Sequence, residues 1–280
     1  MTTINAPFTS VGKPVGQIEG VAKVTGKAVY TGDVQLPRLI WGKLLRSPYA
    51  HARIVKIDSS KAKALPGVRA VITGQDIPPT LYGRRMRDMP VLARDKVRFI
   101  GERVAAVAAD TAAIADEALN LIDVTYEQLP GVFDPIEAMK EGAPRIHGSV
   151  AEYFNHAEPV PDIPNTYAVM VRDKGDLDEG FKQADRVFEN TFTTQSNHHG
   201  YMEPHATVMN IDDAGRLHAW ISVKTPHTAR AQLSWLLGIP QEQIVVNAHH
   251  IGGDFGGKGS LMDAPVAYYL AKASGRPVKI

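Results

Sequence analysis

Residues 251–260 read Ile-Gly-Gly-Asp-Phe-Gly-Gly-Lys-Gly-Ser, and the glycines at 252, 253, 256, 257 and 259 constrain the surrounding fold more than any other stretch. Glycine admits positive φ, so successive N–H groups can turn toward one anion, and the missing Cβ atoms let a ligand approach the backbone. Ahead of the loop, residues 243–248 (Gln-Ile-Val-Val-Asn-Ala) predict a short buried strand. Behind it, Asp263, Ala264 and Pro265 predict a helix start, with Val266, Tyr269, Leu270 and Ala273 on one apolar face and Gly275 as the stop. Strand, glycine loop and helix N-terminus together make an anion cradle. A tight structural turn is the plainer alternative, and the density of glycine around Phe255 and Lys258 weighs against it.

Two glycine-loop chemistries fit poorly. A dinucleotide fingerprint needs glycine two positions after Gly252, where Asp254 stands. A P-loop needs Gly-x4-Gly-Lys followed by a hydroxyl residue; Gly252 to Lys258 has the spacing, but Gly259 takes the hydroxyl position and Ser260 comes one residue late. A P-loop-like nucleotide-binding protein therefore remains an alternative.

A formal net charge of +1 argues against nucleic acid or an acidic membrane surface as the partner. The chain has no cysteine, which removes disulfides, thiolate-bound zinc and a thiolate-held iron–sulfur cluster from its own repertoire. Residues 1–7 carry neither a basic nor an apolar leader segment, and no apolar run approaches membrane-spanning length, so the expected location is the cytoplasm.

The periodicity predicts an α+β chain. Strands are expected at 28–30, 40–45, 53–58, 68–72 and 103–109, and around Val124 and Tyr126, with helices at 59–64 and 111–122. Residues 129–164 are proline-punctuated and read as an extended connector on the surface. Beyond it, Asp176 and Glu179 resemble a capping box for a short helix with Leu177, Gly180, Phe181 and Ala184 on one face. Residues 186–194 alternate as a strand. Residues 207–211 and 217–223 flank the turn 212–215 as a hairpin, and Thr225 with Pro226 opens a helix ended by Gly238. Of the histidines, His198, His199, His205, His249 and His250 lack helical or HExxH spacing and read as hydrogen-bonding groups rather than metal ligands. His199 and Glu203 are a candidate acid–base pair, and Arg84, Arg85 and Arg87 read as a solvated basic loop or a subunit contact.

The string 252–258, Gly-Gly-Asp-Phe-Gly-Gly-Lys, resembles the cofactor loop of the xanthine dehydrogenase/aldehyde oxidase family of molybdenum hydroxylases. Further segments resemble that family's N-terminal α/β-hammerhead domain in the same order: 21–26, 44–54, 65–71, 90–93, 97–102 and 122–130. The segments 180–185, 201–204 and 226–230 resemble the start of its molybdopterin-binding domain. The resemblance implies a hammerhead domain at 17–130, the connector at 131–165, and the incomplete start of the molybdopterin domain at 166–280. It implies cofactor contacts from Lys224, Gly252, Gly253, Asp254, Phe255, Gly256, Gly257 and Lys258, with Glu203 structural. It also implies a molybdenum–molybdopterin cofactor in its cytosine dinucleotide form, with iron–sulfur and FAD groups on partner subunits.

Four departures qualify the resemblance. Many members carry glutamine where Lys224 stands and glycine where Asp254 stands. Purine-oxidising members place a substrate-binding glutamate where this chain has Gly259, so the expected substrates are aldehydes or simple N-heterocycles. Members also continue well past Ile280, and the general-base glutamate lies in that continuation. No catalytic residue is therefore expected within the chain, which reads as the N-terminal piece of a large subunit, inactive alone. Its last strand, at 276–280, is expected to expose an unpaired edge. A catalytically inert fragment or assembly module is the non-enzyme alternative.

Overall fold

Residues 103–109 run Arg-Val-Ala-Ala-Val-Ala-Ala without a polar side chain after the first, a pattern that requires cover on both faces. In the computed structural model, which describes residues 10–159 and 162–280, they form a central strand in which every residue from Val104 to Ala109 is fully buried. The reading placed on residues 1–7, and positions 160 and 161 of the proline-punctuated connector, lie outside the described residues.

In chain order, a short helix α1 (Gly20–Val24) precedes strands β1 (Ile40–Arg46) and β2 (Ala52–Asp58), helix α2 (Ser60–Ala64) and strand β3 (Val68–Thr73). Three two-residue strands follow, β4 (Leu81–Tyr82), β5 (Met89–Pro90) and β6 (Lys96–Val97), then β7 (Arg103–Ala109), α3 (Ala112–Asn120) and β8 (Asp123–Gln128). After α4 (Pro135–Ala138) and α5 (Leu177–Gln183) come β9 (Thr207–Ile211), β10 (Leu217–Ile221), α6 (Pro226–Leu237), β11 (Ile244–Asn247), α7 (Ala264–Ser274) and β12 (Val278–Lys279).

Seven strands make one sheet in the order β11-β10-β9-β12-β1-β7-β3, and β6-β2-β8 make a second. The core on one side of the large sheet joins Ile72, Ala106 and Ala108 to Leu233 of α6 and to the wholly buried run from Ala264 to Ala271 of α7. On the other side Val71, Ala105 and Val107 pack on Ala62, Ala118 and Ile122. Helix ends follow local codes: Thr111 accepts from the Ile114 amide at 3.2 Å, and Gly238 and Gly275 close α6 and α7 in the left-handed conformation. The hairpin turn is fixed by Asp212, whose Oδ1 accepts from the amides of Ala214 and Arg216.

Three expectations are corrected. Residues 28–30 form no strand; Tyr30 makes a single bridge to His250, and its amide donates to Asp33 Oδ2 at 2.9 Å, turning the chain into a 3-10 turn. Residues 186–194 alternate but pair with nothing among the described residues, and Phe188 and Phe192 are exposed. The same holds for α5: Asp176 caps it as expected, yet Leu177 and Phe181 face solvent, as does the whole of 167–200. Lastly, β12 is no open edge. It lies between β1, in parallel, and β9, antiparallel; Ile280 and Thr207 exchange backbone hydrogen bonds at 2.9 Å. The connector lies on the surface as expected, pinned by Asn165 to the carbonyls of Ala138 and Pro144 and by Lys96 Nζ to that of Ile146.

Candidate functional site

The large sheet brings the ends of β10 and β11 beside the segment 198–206, and the glycine loop lies across them. Its two ends are held by one carboxylate. Lys258 is 0% exposed and its Nζ donates to Glu203 Oε2 at 2.6 Å; the Gly252 amide donates to the same oxygen at 2.7 Å. Ser222 Oγ donates to Oε1 at 3.0 Å, and the Lys258 ammonium lies 4.8 Å from the Tyr201 ring centroid. Removing two charges from water is costly unless they are partnered, and here Glu203 accepts from three donors, the Lys258 ammonium, the Gly252 amide and Ser222 Oγ. Glu203 is thus structural as expected and makes no hydrogen bond to His199; the Lys258 amine, expected at the cofactor, is turned inward to anchor the loop. The same burial removes the P-loop reading, whose lysine must reach a phosphate.

The two unusual residues meet each other. Lys224 Nζ donates to Asp254 Oδ2 at 2.6 Å, the Gly256 amide donates to Oδ2 at 2.9 Å, and the Lys258 amide to Oδ1 at 2.6 Å. The Lys224 hydrogen bond above all, and then the Gly256 amide, hold the Asp254 carboxyl down to about 2, against an ordinary value of 3.8. The converging amides expected to grip a foreign anion therefore already hold one from the loop itself. Nor does the helix N-terminus join the cradle: α7 begins at Ala264, and the Asp263 carboxylate before it is taken by Arg46 and Arg103.

The glycines serve mainly to seat the loop on its own chain. A Cβ on Gly252 would stand 2.6 Å from Glu203 Cβ, one on Gly253 3.0 Å from Tyr201 Cβ, and one on Gly257 2.7 Å from Tyr201 Cε1. Only at Gly256, with φ of 93°, is the Cβ side free, 3.6 Å from His199 Nε2. Packed in this way, the loop lifts Phe255 to its crest with φ of 43° and 72% exposure. The amides of Gly253, Asp254 and Phe255 donate to no acceptor among the described residues. Gly252, Gly253 and Phe255 form one wall of a cavity of about 830 Å³ whose other walls include Tyr30, Met202 and His205. Burial, then the Lys258 ammonium, holds His205 below the ordinary histidine value, and its Nε2 lies 2.7 Å from Tyr201 Oη. An aromatic crest with free amide donors beside a mostly apolar cavity fits a flat, anionic, heteroatom-rich cofactor.

Of the eight residues singled out from sequence, Gly252, Gly253 and Phe255 line the cavity, Lys224, Asp254 and Gly256 share one hydrogen-bonded cluster, and Gly257 and Lys258 lie beneath it. Sequence reasoning missed Tyr201, on which the loop rests, and Arg84. The latter belongs to the loop read as solvated, yet its Nη1 comes within 3.0 Å of a Cβ position on Gly259, while Arg87 stacks on Phe154 and Trp235. Among the described residues no three His, Asp or Glu side chains gather as a metal site, and no helix is long and apolar enough to cross a membrane.

Comparison with known proteins gives two family matches. The aldehyde oxidase and xanthine dehydrogenase a/b hammerhead domain matches residues 25–130, and the molybdopterin cofactor-binding domain matches residues 160–280. A probable xanthine dehydrogenase subunit from Bacillus subtilis is 38% identical over 94% of this chain and 33% of its own length. The nicotinate dehydrogenase large molybdopterin subunit from Eubacterium barkeri is 34% identical over 98% of this chain and 61% of its own. Among solved structures, quinoline 2-oxidoreductase from Pseudomonas putida 86 superposes with a TM-score of 0.82 at 30% identity, over 96% of this chain and 34% of that one. The chain thus spans between about a third and three fifths of the length of these relatives.

Proposed function

The chain belongs to the aldehyde oxidase and xanthine dehydrogenase family, and on that premise we propose that it supplies the cofactor loop of a molybdenum hydroxylase acting on aldehydes or N-heterocycles. The observation that carries this is the glycine loop: closed on Glu203, crested by Phe255, and lined with free amides along the 830 Å³ cavity. When bound, the molybdenum–molybdopterin group supplies oxidation by two electrons with oxygen taken from water.

The residues of this chain bind and orient that group. The Gly253, Asp254 and Phe255 amides would be the donors that hold it, and the exposed Phe255 ring would shield it from water. Asp254 neutralises the Lys224 charge and occupies one of its three donors, so Lys224 would serve a bound group as a hydrogen-bond donor and not as a free charge. The cytosine dinucleotide form is the variant proposed, with iron–sulfur and FAD groups on partner subunits to carry the electrons away. The absence of cysteine here accords with that division. The boundaries proposed for the two domains are 17–130 and 166–280, joined by the connector 131–165.

At Gly259 no side chain offers a carboxylate to a purine, so aldehydes and simple heterocycles are the proposed substrates. The test is dye-coupled oxidation by the protein purified through a tag at its own genomic locus, together with the polypeptides that accompany it. Benzaldehyde turnover far above xanthine turnover is expected; efficient xanthine turnover overturns the substrate assignment.

A further inference from the structure

A second cavity, of about 630 Å³, lies at the C-terminal end of the same loop, where residues 260–262 meet β4, β5 and the loop 83–88. Four arginines line it and one carboxylate, Asp88. Arg46 and Arg103 share the single carboxylate of Asp263, at 3.2 and 2.5 Å, which offsets one of their two charges. Arg84 and Arg85 enter no ion pair among the described residues.

Arg84 is the one aimed at the loop. Its Nη1 lies 3.0 Å from where a Cβ on Gly259 would stand, and Lys224 Cε lies 3.7 Å from the same point. Gly259 itself is buried beneath them. The Lys224 ammonium is engaged by Asp254, so the uncompensated charge next to Gly259 is the guanidinium of Arg84. Met86, Met89, Phe99 and Met262 supply apolar wall around it. A planar guanidinium at the edge of an apolar cavity matches a small organic carboxylate, which takes two parallel N–H donors while its carbon skeleton is desolvated.

We propose that this cavity recognises the carboxylate of the substrate, and that the enzyme acts on carboxylate-bearing aldehydes or N-heterocycles with Arg84 as the specificity-determining cation. The proposal rests on the reading of the glycine loop as the cofactor loop, because only then does the cavity beside residues 260–262 adjoin the reacting group.

Benzoate and its neutral isostere benzamide test it by titration calorimetry on the full chain. Wild type should bind benzoate at least tenfold more tightly than benzamide. Arg84→Gln should abolish that preference and leave benzamide binding unchanged, while Arg84→Lys should retain part of it. Gly259→Glu should abolish it as well, by setting a carboxylate against Arg84; the clash it creates is with the mobile end of that side chain, so the fold is retained. Equal affinity for the two probes in wild type, or a preference that survives Arg84→Gln, overturns the proposal. Neither probe needs the cofactor, so failure here leaves the cofactor reading standing, and loss of molybdenum binding leaves this titration interpretable.

Discussion

Replacing Lys258 by methionine removes one charge of the pair that closes the loop and keeps most of its volume. The ammonium is fully buried, and Glu203 is 11% exposed at its side chain, so water cannot take the place of the lost donor. Glu203 keeps two donors, the Gly252 amide at 2.7 Å and Ser222 Oγ at 3.0 Å. Breaking a buried pair by deleting one partner costs about 3–5 kcal/mol, and the two surviving donors place the expected loss near the lower end, about 3 kcal/mol. With a urea dependence of about 2–3 kcal/mol per molar for a chain of this size, the unfolding midpoint should fall by about 1 M. Tryptophan fluorescence reports the transition, since Trp220 lies in β10, two residues before Ser222. Lys140→Met, which breaks an exposed pair with Glu137, is the control and should move the midpoint little. The double variant Glu203→Leu, Lys258→Met should recover much of the loss, because the stranded charge leaves with its partner. A Lys258→Met midpoint indistinguishable from that of Lys140→Met would refute the assignment of Lys258 as the loop's buried anchor.

Asp254 gives a pH signature. Its folded carboxyl titrates at about 2 rather than 3.8, so the folded state favours the ionised form; the stabilisation is present above pH 4 and is lost as pH falls from about 4 to 2. The Tm difference between wild type and Asp254→Asn should therefore shrink through that window, and a difference unchanged at pH 2 would count against the cluster. Gly252→Ala should destabilise by about 1–3 kcal/mol, since its Cβ meets Glu203 Cβ at 2.6 Å, whereas Gly16→Ala, with open space around it, should be close to neutral in the same urea titration. Trypsin should cut first within the exposed segment 167–200, at Arg172, Lys174, Lys182 or Arg186, and the two pieces should co-elute on gel filtration because β12 sits between β1 and β9. Separation of the pieces on nicking would contradict that placement.

Elements with a local code were legible in the sequence: the proline and glycine that bracket α7, the Thr111 cap, and the Asp212 turn each satisfy backbone groups within a few residues. The buried run of β7 was legible too, because a strand covered on both faces needs no partner named to be recognised. What failed depended on distant partners. The alternation at 186–194 says that one face suits burial but not what covers it, and among the described residues nothing does. Nothing near residue 278 indicates that its neighbours are Ile40 and Met209. In the site, the glycine loop was found by composition, but its inner logic was not. Lys224 and Asp254 each stood out singly as departures, and only the fold shows that they neutralise one another across 30 positions. Lys258 and Glu203, 55 positions apart, form a buried pair: the lysine expected at the cofactor anchors the loop instead, while Glu203 is structural as the resemblance implied.

The central claim is that the loop holds a molybdenum–pterin group, and the most direct measurement is the molybdenum and pterin content of the protein purified from its own genomic locus. The expected result is both, in equal amounts, with wild type. Gly256→Val should lose both, because its side chain would fill the one open face of the loop, while the circular dichroism of the hammerhead strands is retained. Wild-type protein free of molybdenum and pterin, or a Gly256→Val variant with undiminished content of both, would contradict it.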